Sequence, residues 1–336
     1  MEYRRLGKTE LKVSVIGFGG IPVQRIDAAS AEKVVNRAIE LGINFFDTAR
    51  GYTDSEEKLG AVLKKHRDKV IIATKSMARD KKGMAEEIDK SLMTMGVDYI
   101  DLYQLHNVKD KGTLEQVLGA DGALAALKEA KEKGKIRHIG VTGHIKAILL
   151  EILKTGEIET VQFPFNPVEI DGAQDVFELA QKMDAGVIVM KPMAGGALTN
   201  ANLTLRYILE HPVSVAIPGM DSLEQVEENA TVGNEPRALT DQEREELARS
   251  VEKLGTSFCR RCEYCLPCQQ GIDIPSVFLF DGYYTRYDLK DWAKGRYQAM
   301  EVKADSCLEC GECEERCPYN LPIREMLKEA AERLGK

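Results

Sequence analysis

Eight cysteines, all between Cys259 and Cys317, are the residues whose types and spacing most directly imply chemistry, and no cysteine precedes them. The second group, CLECGECEERCP, sets Cys307, Cys310, Cys313 and Cys317 apart by two, two and three intervening residues, with Pro318 directly after the last. The first group, CRRCEYCLPC, separates Cys259, Cys262, Cys265 and Cys268 by two residues each. Thiolate sulfur is a soft, electron-rich ligand, and CxxC steps let one turn of backbone reach several corners of an iron-sulfur cube. Two cubane 4Fe-4S clusters need eight thiolates, the number present.

The spacing of the second group is that of ferredoxins, and the first is a shortened version of it. In two-cluster ferredoxins the fourth cysteine of each group ligates the other cluster. That rule gives Cys259, Cys262, Cys265 and Cys317 to one cluster, and Cys307, Cys310, Cys313 and Cys268 to the other. Because the last step of the first group is short, a local set using Cys268 with its own group stays open. Two structural zinc sites of four thiolates are the rival metal reading, but zinc does not account for three evenly spaced cysteines followed by CxxxCP. Disulfides are not expected, since no apolar leader precedes the first strand and a chain of this size needs no staples.

A second constellation uses no sulfur. Asp47 lies in FFDTA, Tyr52 in the GYTDSE that follows, Lys75 ends VIIATK, and His106 ends LYQLH. Reducing a carbonyl by hydride leaves an alkoxide that must receive a proton as it forms. A phenol with a pKa of about 10 is a poor donor at neutral pH until an adjacent ammonium favours its phenolate. Lys75 would supply that ammonium, Asp47 would keep it charged and oriented, and His106 would hold the substrate oxygen, which makes Tyr52 the acid. Singly, each reads as an ordinary surface residue. Their common placement where the second, third and fourth strands stop joins them.

The elements that must position these groups follow from periodicity. From residue 13 to about 232, short apolar runs alternate with longer amphipathic stretches, the pattern of repeated strand and helix units. Eight strands are expected: VSVIGF from Val13, NFFDTA from Asn44, VIIATK from Val70, YIDLYQLH from Tyr99, IRHIGVTG from Ile136, TVQFPFN from Thr160, GVIVMKP from Gly186 and VSVAIPG from Val213. SAEKVVNRAIELG reads as a helix capped by Ser30 and closed by Gly42, with Val34, Val35, Ala38, Ile39 and Leu41 on one apolar face. This rhythm predicts an α/β fold, a closed (β/α)8 TIM barrel. A doubly wound open sheet is the alternative, and the gathering of Asp47, Lys75 and His106 at strand ends argues against it. EYRRLGKTELKVS predicts an N-terminal β-hairpin turning at Gly7 and Lys8. A helix from Asp241, DQEREELARSVEKLG, is expected to end the barrel. The domains are then a barrel over residues 1–256 and a small C-terminal ferredoxin-like iron-sulfur domain over 257–336, docked because no low-complexity linker joins them. The aromatic stretch FDGYYTRYDLKDWAKGRYQ from Phe280 is expected as the core of that second domain, or else as a lid over the barrel.

Composition narrows the partners. With 336 residues, 43% hydrophobic and 30% charged, the chain reads as an ordinary soluble protein. No apolar run approaches the roughly 18 residues of a membrane span, so no membrane partner is expected. A formal net charge of -8, with basic residues interspersed among acidic ones, argues against nucleic acid. Reduced thiolates with no leader and no anchor make the cytoplasm the expected location.

The motifs GFGGIP, NFFDTARGYTDSE, IIATK, DYIDLYQLHN, IRHIGVTGH, VQFPFNPVE, KPMAGG and IPGMDSLEQVEEN run through the whole barrel. On them, residues 1 to about 235 resemble the aldo-keto reductase superfamily, and the whole chain resembles its bacterial and archaeal branch with a C-terminal ferredoxin-like 4Fe-4S domain. The resemblance implies a barrel that binds NADH or NADPH without a Rossmann domain, and it carries a catalytic tetrad onto Asp47, Tyr52, Lys75 and His106. It implies cofactor contacts from Gly20 of GFGGIP and from Gln162. Thr142 and Gly143 stand where many members have Ser-Asn to hold the carboxamide, so one side-chain contact is lost. Met190 replaces a tyrosine that stacks on the nicotinamide in many members, and methionine covers a ring less rigidly. Lys191, Pro192, Met193, Gly195 and Gly196 follow it in KPMAGG. Ile217, Gly219, Gln225, Glu228 and Asn229 match the adenosine-binding segment. Gly219, Met220 and Gln225 stand where lysine, serine and arginine are frequent, leaving no cation for a 2'-phosphate. NADH, or weak binding of either nucleotide, is the expectation.

Two functions follow. In the first, the protein is an oxidoreductase interconverting a small aldehyde or ketone and its alcohol by hydride transfer. Its two 4Fe-4S clusters would serve structure, or electron transfer with an electron-transfer protein. Nicotinamide moves two electrons as hydride while each cluster carries one, so direct coupling needs a flavin or a radical-forming substrate. No flavin motif is legible, and a flavin is left open. In the second, the protein is a nucleotide or redox sensor, or a partner-binding protein with a catalytically quiet barrel. The intact tetrad weighs against this reading, because a binding module has no need of a proton donor.

Overall fold

The computed structural model describes residues 1–254, 258–261, 264–317 and 319–335. The chain divides into two compact units, Met1–Pro192 with Asn200–Thr240, and Met193–Thr199 with Asp241–Lys336.

The first unit opens with the expected hairpin, β1 (Tyr3–Arg5) and β2 (Lys12–Ser14), paired antiparallel with Tyr3 opposite Ser14. Gly7 turns it at a φ of +52, and a Cβ there would fall 2.2 Å from the Gly186 nitrogen, so only glycine fits. Eight parallel strands follow, each hydrogen-bonded to the next in chain order. They are β3 (Phe18–Gly19), β4 (Phe45–Asp47), β5 (Ile71–Ser76), β6 (Ile100–Leu105), β7 (Ile136–Thr142), β8 (Thr160–Pro164), β9 (Gly186–Met190) and β10 (Val215–Ala216). Parallel bridges from Ile16 to Ala216 and from Gly19 to Gly219 join the first to the last and close the (β/α)8 barrel. VSVIGF, expected as one strand, is therefore shared: Val13 and Ser14 complete the hairpin, while Ile16 to Gly19 enter the barrel. The hairpin contributes to the barrel's core, where Leu6 and Val13 pack with Phe45, Leu102, Ile188 and Val215. Each such buried side chain stabilises the fold by about 1.5–3 kcal/mol.

Helices α1 (Ala28–Glu40), α2 (Ser55–Leu63), α3 (Lys81–Met95), α4 (Lys111–Leu118), α5 (Ala123–Glu132), α6 (Lys146–Lys154), α7 (Ala173–Lys182), α8 (Ala201–Leu209) and α9 (Leu223–Asn234) alternate with the strands. In α1, Ala31, Val34, Val35 and Ala38 are buried and Gly42 follows at a φ of +90. Its cap is Asp27, not Ser30: the Asp27 carboxylate accepts the Ser30 N–H at 2.7 Å. A carboxylate caps as well as a hydroxyl and also meets the positive end of the helix dipole, so the helix starts a few residues early.

The second unit carries α10 (Asp241–Leu254), α11 (Ile274–Thr285), α12 (Lys290–Gln298), α13 (Glu312–Glu315) and α14 (Ile323–Leu334). The division at Thr240 falls ahead of the expected boundary at 256 and assigns α10 to this unit. DQEREELARSVEKL has little apolar surface to offer a barrel, with Leu247 its one fully buried described side chain. The core of the unit joins Val277, Tyr297, Leu321 and Leu327 to Cys265, Cys313 and Cys317, and Phe280, Tyr283, Tyr284 and Trp292 pack against it. The aromatic stretch from Phe280 is thus core. No helix among the described residues is long and apolar enough to cross a membrane.

Candidate active site

Asp47 ends β4, Lys75 is the penultimate residue of β5, and His106 follows β6. In register, Asp47 lies opposite Ala73, and Lys75 opposite Gln104. Parallel strands align their carboxyl ends, so the three side chains are brought to one mouth. The Lys75 Nζ donates to Asp47 Oδ1 at 2.6 Å and to the Thr48 carbonyl at 2.9 Å. This pair is nearly sealed from water, with side chains 1% and 3% exposed. The loop after β4 sets the Tyr52 ring 5.1 Å from Lys75 Nζ, and the edge of the His106 ring meets it at a centroid distance of 6.1 Å. All four expected residues are together, with Tyr52 and His106 half-buried.

Burial pushes the Lys75 ammonium below the usual lysine range, against the pull of Asp47 and Glu56, and pushes the Asp47 carboxyl up against Lys75, Gln104 and Gln162. Gln104 and Glu56 were missed in the sequence. Gln104 Nε2 donates to Asp47 Oδ2 at 3.4 Å and to Gln162 Oε1 at 3.0 Å. Glu56 is buried behind the lysine, accepts from Thr74 at 2.7 Å and Ser91 at 2.9 Å, and pairs with Arg50. A signal for Gln104 existed: in LYQLH it shares strand parity with Leu102 and His106, so it is a polar residue on the strand face that leads to the histidine.

The expected cofactor residues divide. Gly20 packs on the catalytic strand, its N–H bonded to the Asp47 carbonyl at 2.8 Å, and a Cβ would fall 2.7 Å from that oxygen. The Thr142 hydroxyl accepts the Asn107 N–H at 2.9 Å and keeps its own proton to donate. A Cβ on Gly143 would lie 2.9 Å from the Val108 carbonyl, which explains why no asparagine stands here. Gln162 is wired through Gln104 to Asp47. Met190 ends β9 half-buried, Lys191 turns at a φ of +53 with its carbonyl accepting from Asn166 at 3.1 Å, and Pro192 is buried. Met193, Gly195 and Gly196 belong to the second unit. Ile217 and Asn229 are buried, Gly219 and Glu228 are exposed, and Gln225 accepts the Asp221 N–H at 2.8 Å. Asp221 pairs with Arg25 at 2.7 Å, an ion pair that sequence reasoning missed.

In the second unit, Cys268, Cys307, Cys310 and Cys313 line one cavity, walled by Ile274, Leu308 and Leu327. Four soft donors on one cavity, whose lining also carries Gln269, Gln270, Glu312, Arg316 and Arg324, fit an iron-sulfur cluster. Burial, Glu314 and the neighbouring Cys307 and Cys310 raise the Cys313 thiol, a penalty that bound iron would reverse. Cys265 and Cys317 are buried in the unit's core with Cys259 packed against it, and Cys262 lies outside the described residues. None of the seven described cysteines is in a disulfide. Among the described residues no three His, Cys, Asp or Glu side chains converge on a single-ion site.

A closed barrel thus carries a buried lysine–carboxylate pair and a tyrosine at its mouth. Residues 15–204 match the model of the Aldo/keto reductase family, and residues 258–322 match that of the 4Fe-4S dicluster domain. The chain is 31% identical over 291 residues to L-galactose dehydrogenase of Arabidopsis thaliana, covering 71% of this chain and 90% of that one. It is 28% identical over 233 residues to the NADH-specific methylglyoxal reductase of Escherichia coli, covering 60% and 70%. A solved aldo-keto reductase of Bacillus halodurans in its holo form superposes with a TM-score of 0.65 at 28% identity, over 76% of this chain and 96% of that one. The chain belongs to the aldo/keto reductase family and carries a C-terminal 4Fe-4S domain.

Proposed function

We propose that this oxidoreductase interconverts an aldehyde or ketone and its alcohol by direct hydride transfer at the barrel mouth, with Tyr52 as proton donor. The observation that carries this reading is the sealed Lys75–Asp47 pair, with Lys75 Nζ 5.1 Å from the Tyr52 ring. A neighbouring ammonium stabilises phenolate and so makes the phenol a better acid. Asp47, steadied by Gln104, keeps Lys75 charged against its burial, and His106 orients the substrate oxygen. Bound NADH would supply the hydride. Thr142, Gly143, Gln162 and Met190 to Pro192 would hold its nicotinamide end, with Met193, Gly195 and Gly196 following. Gly20, Ile217, Gly219, Gln225, Glu228 and Asn229 would line the rest.

The Asp221–Arg25 pair supports NADH over NADPH, because Asp221 neutralises an arginine beside the segment that lacks other cations and its carboxylate repels a 2'-phosphate. The second unit is read as holding two 4Fe-4S clusters, one on Cys307, Cys310, Cys313 and Cys268, the other on Cys259, Cys262, Cys265 and Cys317. The shared cavity supports the first set. Cys310 is exposed and Leu308 is 68% exposed, which leaves that cluster accessible to an electron-transfer protein.

Steady-state oxidation of NADH and NADPH, with methylglyoxal and a series of aldoses as acceptors and L-galactose as reductant in reverse, tests the reading. Turnover with at least one carbonyl is expected, with NADH bound about tenfold or more tighter than NADPH, the worth of one charge-assisted hydrogen bond. Inertness across the panel would favour the sensor alternative, and a clear NADPH preference would refute the role given to Asp221.

A further inference from the structure

Tyr52 is carried on the loop between β4 and α2, and the tip of that loop has little packing of its own. Gly51 and Thr53 are exposed, and a Cβ on Gly51 would meet no atom within 4 Å. Thr53 stands at a φ of +31, which disfavours a β-branched residue. Two backbone bonds turn the tip, from the Tyr52 N–H to the Ala49 carbonyl at 3.0 Å and from the Ser55 N–H to the Tyr52 carbonyl at 2.7 Å. A strained tip of this kind keeps one geometry only when its surroundings hold its ends.

Both ends are held. Before the tip, the Arg50 N–H donates to the Lys75 carbonyl at 3.0 Å. After it, the Ser55 hydroxyl accepts from Thr48 Oγ1 at 2.9 Å and donates to the Gly20 carbonyl at 2.9 Å. The Arg50 guanidinium joins the two ends: Nη1 pairs with Glu56 in the first turn of α2, and Nε donates to Glu87 of α3 at 3.1 Å. Glu56 is 2% exposed, and its other oxygen accepts from Thr74 of β5 at 2.7 Å and from Ser91 of α3 at 2.9 Å. Burial works against the Arg50 charge, and Glu56 and Glu87 more than offset it. Strand alternation turns Thr74 to the opposite face of β5 from Lys75. The clamp therefore lies behind the barrel wall, away from substrate.

We propose that Arg50 and Glu56 are positioning residues for the proton donor: their ion pair closes the Tyr52 loop and fixes the phenol relative to Lys75 Nζ, which lies 5.1 Å from the ring. This rests on the reading that Tyr52 donates the proton. A buried ion pair adds little net stability, because desolvating both charges offsets their attraction. What the pair supplies is geometry, since the planar guanidinium fork binds two carboxylates in fixed directions. Catalysis depends steeply on that geometry, and a displacement of about 1 Å costs about a hundredfold in rate.

The test compares the full chain carrying Arg50→Gln together with Glu56→Gln, which leaves neither charge buried alone, with Arg50→Lys. Each is made in the wild-type and the Tyr52→Phe backgrounds. Single-turnover rate and KM are measured with a carbonyl that the wild type reduces, and NADH affinity by fluorescence titration. The paired substitution is expected to lower the rate about ten- to hundredfold, with KM and NADH affinity within about twofold of wild type. In the Tyr52→Phe background the same change should lower the rate by no more than about a further twofold, because residues acting through one group are non-additive. Arg50→Lys keeps the charge but not the fork, so it should lose about threefold or more with the same split between rate and binding. A wild-type rate in either variant, or an equal further loss in the Tyr52→Phe background, overturns the proposal. Lost NADH binding, or failure of both variants to fold, also overturns it, because the pair would then be structural only. A wild type inert toward every carbonyl, or a Tyr52→Phe chain as fast as the wild type, overturns the underlying reading and the clamp's role with it.

Discussion

Tyr52→Phe lowers kcat for carbonyl reduction by about a hundred- to ten-thousand-fold, the worth of a positioned general acid, and leaves the NADH dissociation constant within about twofold, since no nucleotide contact is assigned to the hydroxyl. The phenylalanine ring keeps the edge contact with His106 and removes only the hydroxyl. Lys75 is no substitute donor, because its Nζ is committed to Asp47 and the Thr48 carbonyl and is sealed from water. Single-turnover rates with saturating NADH make the comparison. Retention of a tenth or more of the wild-type rate would move the proton donor to His106 and leave the buried pair without the role given to it.

Cys268→Ala removes about half of the iron, roughly four of eight atoms per chain if two cubanes are present. Which cluster is lost distinguishes crossed from local ligation. Cys268 lines one cavity with Cys307, Cys310 and Cys313. Cys307→Ala should therefore remove the same four atoms, and the double variant should lose no more than either single one. Two residues acting on one unit are non-additive in this way. Iron falling near zero in the double variant would show that Cys268 serves its own group. Melting temperatures should follow the iron, because ligand binding energy is part of the folding energy of a small metal domain.

The barrel and the four polar residues at its mouth were legible because both are local signals. A short apolar run ending in a charged residue marks a strand that stops at a site, and eight such runs separated by amphipathic stretches leave few architectures. The cysteine spacing is local in the same sense. What was not legible depends on residues far apart in sequence. The division of VSVIGF between hairpin and barrel is decided by its partners at Arg4 and Ala216. Gln104 matters because Asp47 and Gln162 flank it across the barrel, and Asp221 because Arg25 reaches it. Gly143 read as a lost contact until the Val108 carbonyl was seen to occupy the space of a side chain. KPMAGG carried the sign of a loop but no sign that its latter half folds with the second unit. The Asp27 cap was a local miss: Ser30 offered a valid cap, and the better one lay three residues earlier.

The most direct test follows deuterium. NADH deuterated at both C4 positions of the nicotinamide is incubated anaerobically with the full chain and an accepted carbonyl, and the alcohol is analysed by mass spectrometry. Direct hydride transfer predicts one deuterium on the new carbinol carbon of every product molecule, whether the clusters start oxidised or reduced. Alcohol that forms at the expense of NADH but carries no deuterium would mean that electrons leave the nicotinamide for clusters or a flavin first, and would contradict the role given to the barrel mouth.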